Sequence, residues 1–447
     1  MNRLENTALV ERNEPQTGAP KPSITLIDAI ALIVGLVIGA GIFETPALVA
    51  ANTRTVGGVI GVWLMGGIVS LLGALCYAEL ATTYPHVGGN YYYLKRAFGQ
   101  PIAVLFAWAR MTVIQTGSIA LLAFVFGDYA SELLPLGGYS PAIYAAVAIA
   151  LLTMLNIIGL RQSKSLQNGL AVILVLGLLL VIVVGLASSL PPVGPLSSDA
   201  SPTSSWGLAL VFVLLSYGGW NEAAYISAEI HNPQRNIVRS FLWSIGIITG
   251  LYVLINLAYL RGLGIAGMAD SQAVAADLLR RVLGQPGAAF VSLLVVSATL
   301  GSINATIFTG ARSSFALGQD LSAFRWLGRW HPHPSSPTTA YLLQGAIALT
   351  LIGLGTFTRK GFETMVDYTA PIFWFFFLIS TLSLIVLRIR EPDRLRPFNV
   401  PLYPIIPIVF CAICGYLLYS SLVYTGIGAI AGVIVVLLGI PFVRHTT

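Results

Sequence analysis

The sequence predicts an all-α integral membrane protein. It has twelve transmembrane helices: two inverted five-helix repeats, with the first and sixth helices broken, followed by two further C-terminal helices. Three observations carry that reading. Of the 447 residues, 56% are hydrophobic and only 9% charged, against about 25% charged in an average soluble domain, so the surplus apolar surface must face lipid. Apolar runs long enough to span recur along the whole chain. Glycine pairs interrupt the first and the sixth of these runs at corresponding places, the pattern of an internal inverted repeat.

A membrane helix needs about 20 apolar residues. Candidate spans run at 24–51, 57–81, 101–127, 140–160, 166–188, 206–229, 240–262, 288–318, 338–357, 363–388, 401–420 and 423–443. The breaks between them carry turn chemistry, as in Thr53-Arg54-Thr55-Val56-Gly57-Gly58, Gly137 to Pro141 and Pro191 to Pro202. The segment 263–287, with Asp270, Asp277, Arg280 and Arg281, is too polar to span and predicts short helices in the interface. The organisation that follows is a tail over 1–23, a first repeat over 24–188, a second over 189–388, two added helices over 389–443 and a tail over 444–447. With both termini in the cytoplasm, 17 of the 24 Lys and Arg residues face inward, six face outward and Arg110 lies within a span. That bias predicts a multi-pass protein of the plasma (inner) membrane with cytoplasmic termini.

The same residues exclude several classes. The net charge of +6 is scattered through short loops, not gathered in a stripe that would bind nucleic acid. Cys76, Cys411 and Cys414 lie in apolar runs and predict packing residues, not a disulfide framework. The five histidines show no metal-ligand spacing, so no metal or cofactor is expected. The polar N-terminal tail carries no signal-peptide pattern. No G-x-x-x-x-G-K-[ST] motif points to a nucleotide-driven pump. A channel would need a ring of charges or a repeated filter, and an enzyme a catalytic cluster at membrane depth. Neither pattern is present, and a secondary transporter is the class that remains.

The first break reads Gly39-Ala40-Gly41, followed by Pro46, and the second Gly218-Gly219. Each glycine costs about 1 kcal/mol in a helix interior. Backbone unwound at membrane depth is tolerated only against a cavity or ligand. A half-helix starting after Gly41 aims amides and the positive end of its dipole at the site, which suits a carboxylate. The half-helix ending before it offers carbonyls, which suit an ammonium or a cation. Together they predict a site for a zwitterion. The alternative is that the glycines only permit close helix packing, which adjacent Gly218-Gly219 fits poorly.

At these residues the chain resembles a known group. IGAGIFETP (38–46) resembles the opening motif of the amino acid–polyamine–organocation superfamily, and SYGGWNEAAYISAEIHNPQRNI (216–237) the sixth-helix stretch of its L-type amino acid transporter branch. YAELATTYPHVGGNYYYLKRAFG (77–99), GSINATIFTGARSSFALGQD (301–320) and REPDRLRPFNVPLYPIIPI (390–408) agree in order and spacing. The resemblance implies a LeuT-like fold working by alternating access, often as an exchanger. It places the substrate carboxylate at the amides around Ala40, Gly41 and Ile42, with Gly39 beside them in the site. The ammonium would meet carbonyls near Ile38, Leu215 and Ser216. Tyr217, Gly218, Gly219, Trp220 and Asn221 would line or close the pocket. Neutral amino acids are the implied substrates, with a cationic amino acid or polyamine as the alternative that Glu44 would favour.

Three positions depart from the group's pattern: Leu174 where many members carry a lysine, Leu215 where an aromatic gate is common, and Asn90 where an acid is common. Without that lysine, coupling stays open between a proton, a sodium ion near Ser297, Ser302 or Thr306, and no ion at all. The loop Gly127 to Pro141 has no cysteine, so a disulfide-linked heavy chain is not expected. The remaining charges are read individually. Glu44 and Arg110 would pair, or Glu44 would act as a protonatable or cation-attracting gate; the alternative leaves Glu44 on the helix dipole and Arg110 snorkelling or capping backbone carbonyls. Glu79 and Glu229 predict structural ion pairs. Glu222 adjoins the second break, where it could contact substrate or a gate. Asn156 and Asn304 predict interhelical hydrogen bonds. Of the aromatics Phe373 to Phe377, at most Trp374 would reach the vestibule.

Overall fold

A computed structural model describes residues 22–39, 41–188, 206–271, 273–331, 336–358, 361–425 and 428–444. Among them the backbone is helical, and β-structure is limited to the isolated bridges Ile24–Ile230 and His331–Ser336. Among the described residues nine helices are long and apolar enough to cross a membrane, and Leu26–Val37 and Ile430–Val443 are shorter apolar segments.

The first predicted span is two helices, α1 (Leu26–Val37) and α2 (Gly41–Thr53). α1 starts on a capping box, in which the Thr25 hydroxyl accepts from the Asp28 amide and the Asp28 carboxylate from the Thr25 amide. α3 (Val56–Thr83) is the second span and α4 (Asn90–Phe98) a short helix after it. The third span is not one regular helix. α5 (Gln100–Ala109) passes through a π-turn at Arg110–Ile114 into α6 (Gln115–Leu133). α7 (Ser140–Ile158) and α8 (Leu160–Ala187) complete the first half.

The sixth span begins as α9 (Trp206–Ser216) and continues beyond its break as a 3-10 helix, Trp220–Glu229, where a second α-helical half was expected. Ten residues is long for that form, since 3-10 runs beyond 3–4 residues are uncommon. α10 (Pro233–Ala269) outruns its predicted span at both ends and kinks at Gly264, whose φ of 70° favours glycine. α11 (Val274–Leu283) lies in the polar segment predicted to hold short helices. α12 (Gln285–Asp320), α13 (Thr338–Thr358), α14 (Gly361–Arg390) and α15 (Ile405–Thr425) follow, and the last span is divided into α16 (Gly428–Leu437) and α17 (Ile440–Arg444).

The interior is divided between separate cores. One draws on α1, α2, α3, α9, the 3-10 segment and α10, with contributions from α8, α12, α14 and α15. A second is built from α6, α7, α12 and α13, around Ile119, Phe124, Ile149, Ile307, Tyr341 and Ile352. A third, smaller one joins α4 and α5 to α14 and α16. Across the chain's two halves α3 packs on α10, α6 on α12 and α7 on α13.

Candidate functional site: two helix breaks in contact

The two breaks touch. A Cβ on Gly41 would stand 2.7 Å from the Ser216 hydroxyl and 3.1 Å from its Cα, so only glycine lets α2 approach the end of α9 this closely. Gly219 has φ +110°, and a Cβ there would meet the Leu36 carbonyl at 3.3 Å. The partners cross over: α1 lies against the 3-10 segment and α2 against α9. The Ser216 hydroxyl also donates to that of Thr45 at 2.8 Å.

One side chain ties the ends together. Tyr252 of α10 places its hydroxyl 3.0 Å from both the Val37 and the Ser216 carbonyls. These are the last carbonyls of α1 and α9, groups that a helix end leaves without an intrahelical donor. Tyr252 is fully buried and meets Trp63 and Tyr217 edge-on. A second tie comes from α12, where the Ser302 hydroxyl donates to the Gly35 carbonyl at 2.7 Å.

The sequence-predicted site residues gather here with differing exposure. Ile38, Gly39 and Ile42 are buried, and Gly41 is partly exposed. Ala40 lies outside the described residues, as does the side chain of Glu44. Tyr217 is buried, its hydroxyl donating to the Trp63 carbonyl. Trp220 is buried among Tyr77, Phe241, Phe377 and Phe410. Asn221 is buried beside it, and Gly218 is partly exposed, its amide donating to the Leu215 carbonyl. The Leu215 side chain is 46% exposed, so it does not close over the break. Ser297 bonds its own helix at Leu293, and Thr306 bonds the Ser302 carbonyl. Leu174 is buried in the apolar core.

The side chain of Glu44, the partner foreseen for Arg110, lies outside the described residues. Arg110 is buried and paired with Glu222 rather than snorkelling. Its guanidinium forms a bidentate pair with Glu222, at 3.0 and 2.6 Å, and donates through Nε to Ser313. The side chains are 3% and 9% exposed. The Thr309 hydroxyl adds a 2.5 Å bond to the same carboxylate, and the Tyr225 ring lies 3.8 Å from the guanidinium. The π-turn that starts at Arg110 widens the third span where it carries this side chain, and such turns concentrate at functional positions. Seven residues on, Glu229 pairs with Arg312 at 2.5 Å, both 1% exposed. The 3-10 segment is thus held by one arginine from the π-turn and another from α12.

The other predicted polar residues are placed as structural links. Asn156, Ser163, Asn304 and Gln167 form a hydrogen-bonded chain between α7, α8 and α12. Glu79 accepts from Arg388 at 2.7 and 2.5 Å and from the Val400 amide at 2.7 Å. Trp374 is buried, as are Phe376 and Phe377, and Phe375 is exposed. Cys76, Cys411 and Cys414 are free thiols. Among the described residues no cluster of His, Cys, Asp and Glu is arranged to hold a metal. Tyr252, Thr45 and the choice of Glu222 as partner went unread in the sequence. They are long-range contacts on helices whose local pattern is simply apolar.

Residues 24–440 match the amino acid permease family. The chain belongs to that family. This permease is 32% identical over 435 residues to the b(0,+)-type amino acid transporter 1 of Rattus norvegicus, covering 94% of this chain and 87% of that one. It is 31% identical over 435 residues to the Homo sapiens protein of the same name, with the same shares. It is 32% identical over 438 residues to the large neutral amino acids transporter small subunit 2 of Mus musculus, covering 95% and 80%. The permease is a multi-pass membrane protein, and the relatives are named as transporters, not enzymes.

Proposed function

We propose that this permease is a secondary transporter that moves amino acids across the plasma membrane by alternating access, with the α-amino acid held where the two breaks meet. The observation that carries the reading is the contact itself: two interrupted helices, pressed together at Gly41–Ser216 and Gly219–Leu36 and tied by one tyrosine. The first amides of α2, at Gly41 and Ile42, take the carboxylate. The backbone at Ile38, Gly39, Leu215 and Ser216 takes the ammonium, and Tyr217, Trp220 and Asn221 shape the side-chain space. Neutral amino acids are the preferred substrates: Glu222, the carboxylate nearest the second break among the described side chains, is already neutralised by Arg110.

The packing supports a twelve-span, five-plus-five inverted repeat. Each of the first four spans meets its counterpart five spans later: the broken pair, α3 with α10, α6 with α12 and α7 with α13. The core of α6, α7, α12 and α13 then serves as the scaffold against which the broken helices and their neighbours rock. Ion pairs Asp28–Lys164, Lys95–Asp320 and Arg96–Glu391 gather basic residues at the end where α1 begins, which the positive-inside bias places in the cytoplasm. The α6–α7 connection has no cysteine, so the chain works without a disulfide-linked partner, although four relatives are named small subunits.

Counterflow in proteoliposomes tests the reading. Vesicles preloaded with unlabelled neutral L-amino acids should take up the labelled compound faster than empty ones. Flux that no amino acid stimulates would refute it.

A further inference from the structure

Two arginine–carboxylate pairs tie the 3-10 segment to the π-turn before α6 and to α12, and both α6 and α12 help build the core of α6, α7, α12 and α13. The Arg110–Glu222 pair lies next to the second break. Its arginine starts the π-turn that leads into α6, in the core of α6, α7, α12 and α13. Its carboxylate lies on the segment that follows Gly219, whose apolar residues Trp220, Ala223, Ala224 and Ile226 belong to the core of the broken helices. The rocking proposed above, of the broken helices against α6, α7 and α13, parts this pair. Parting a buried pair is costly, because each charge is left in a low-dielectric interior without its counterion. An arginine does not release its proton. A carboxylate can take one up and become neutral, and so remove its share of the cost.

We propose that Glu222 is a proton-binding site of the transport cycle: paired with Arg110 while the seam is closed, and protonated when the 3-10 segment moves away. The proton comes from bulk water on the side open while the pair is parted, converts the carboxylate to the carboxylic acid, and passes to the water on the opposite side when Arg110 displaces it after that side has opened. The Thr309 hydroxyl, 2.5 Å from Oε2, can donate to the carboxylate and accept from the acid, so it serves both states. Arg110 keeps the Tyr225 ring and Ser313 as neighbours.

The groups around the carboxylate leave it as the exchangeable one. Around the pair stand Tyr77 from α3, Tyr93 from α4 and Tyr225 on the segment itself. α10 presents Tyr252, which is engaged at the break. From α12 come Thr309, Ser313 and Arg312, the last bound to Glu229. The acid of α1, Asp28, is paired with Lys164, and Glu79 of α3 with Arg388. α8 carries Leu174 where the resemblance led one to expect a lysine, so its membrane stretch supplies no competing proton carrier.

The inference rests on the transport reading, and the experiment separates the two. Purified full-length protein is reconstituted and assayed with labelled L-leucine and L-alanine, first in counterflow at equal pH and then with an inside-alkaline gradient. The quantity read is the ratio of uptake with the gradient to uptake without it. One proton per substrate supports about a tenfold accumulation per pH unit, and a pH dye trapped inside should report acidification when amino acid is added. A protonophore should abolish both. Glu222→Gln should bring the ratio to unity, whatever exchange it retains. Glu222→Asp should keep a ratio above unity with a displaced pH midpoint, and it decides the matter if the Gln variant does not assemble. Counterflow with a wild-type ratio of one, a wild-type ratio in Glu222→Gln, or an unmoved midpoint in Glu222→Asp overturns the proton site and leaves the transporter standing. No counterflow at all overturns both.

Discussion

Tyr252→Phe isolates what holds the two breaks at their present spacing. The ring stays, with its contacts to Trp63 at 5.1 Å and Tyr217 at 4.9 Å between centroids. Only the hydroxyl goes, and with it the donor shared by the Val37 and Ser216 carbonyls at 3.0 Å each. A buried acceptor left unsatisfied costs about 1–3 kcal/mol. The Val37 carbonyl keeps the Gly39 amide at 2.9 Å, so the Ser216 carbonyl is the acceptor left stranded, and a loss of about 2 kcal/mol follows. Thermal unfolding registers this weakly: unfolding entropy grows with chain length, so the shift in a chain of this size is roughly 2 °C. Substrate affinity is the sensitive readout. If binding needs the ends of α1 and α9 held together, the same energy weakens equilibrium binding about thirtyfold. Binding of the labelled amino acid that gives the strongest counterflow is measured on detergent-purified protein, with Tm recorded alongside. A variant that binds within about twofold of wild type, with an unchanged Tm, would refute the claim that this hydroxyl sets the site's geometry.

Three further outcomes follow. Gly219→Ala should abolish exchange, since φ +110° costs a non-glycine residue about 1–3 kcal/mol and the new Cβ meets the Leu36 carbonyl at 3.3 Å; Gly250→Ala on α10, with no atom within 4 Å of the added carbon, should leave the uptake rate as it was. Glu79→Ala should cost about 3–5 kcal/mol by stranding Arg388 along with the Val400 amide, and should sharply lower the yield of monodisperse protein in detergent, with Glu79→Gln milder. His86 has its pKa lowered from 6.5 to about 4 by burial, and its Nδ1 accepts from the Gly88 amide. The unfolded chain therefore binds the extra proton first: the contribution is full above the unfolded value and is lost as pH falls through the window down to the folded one. It amounts to up to about 3 kcal/mol. Tm measured from neutral pH downward should fall in that window, and His86→Gln should flatten the dependence.

Lipid-facing apolar runs and glycine pairs were legible from composition and spacing alone. Both demands are local: a span must be apolar along its length, and an unwound turn needs residues without a Cβ penalty. The first span and its break show this, since α1 and α2 divide around the expected Gly39–Gly41 stretch. The second half of the sixth span shows the limit. Its glycines announced a break, but not the 3-10 form beyond it, whose Glu222 and Glu229 are paired with Arg110 and Arg312 of other helices. Arg110 itself stood out as a charge in an apolar run. Its partner did not, because a carboxylate 112 residues away leaves no periodic trace. The π-turn was equally silent, its residues Arg110 to Ile114 reading as ordinary helix.

The composition of the second core has a consequence for biogenesis. Its two halves, 111–152 and 303–352, are separated by a long stretch of chain. At about 5–20 residues per second, the ribosome finishes α6 and α7 roughly ten to thirty seconds before α12 and α13 exist to cover them. Arg110 enters the bilayer in the same interval, with Glu222, 112 residues further along the chain, not yet synthesised. An early intermediate therefore carries a lone guanidinium that only lipid headgroups, water or the insertion machinery can satisfy. The nascent permease passes through a stage more polar at its centre than the finished one, and its dependence on anionic lipid should be greatest there.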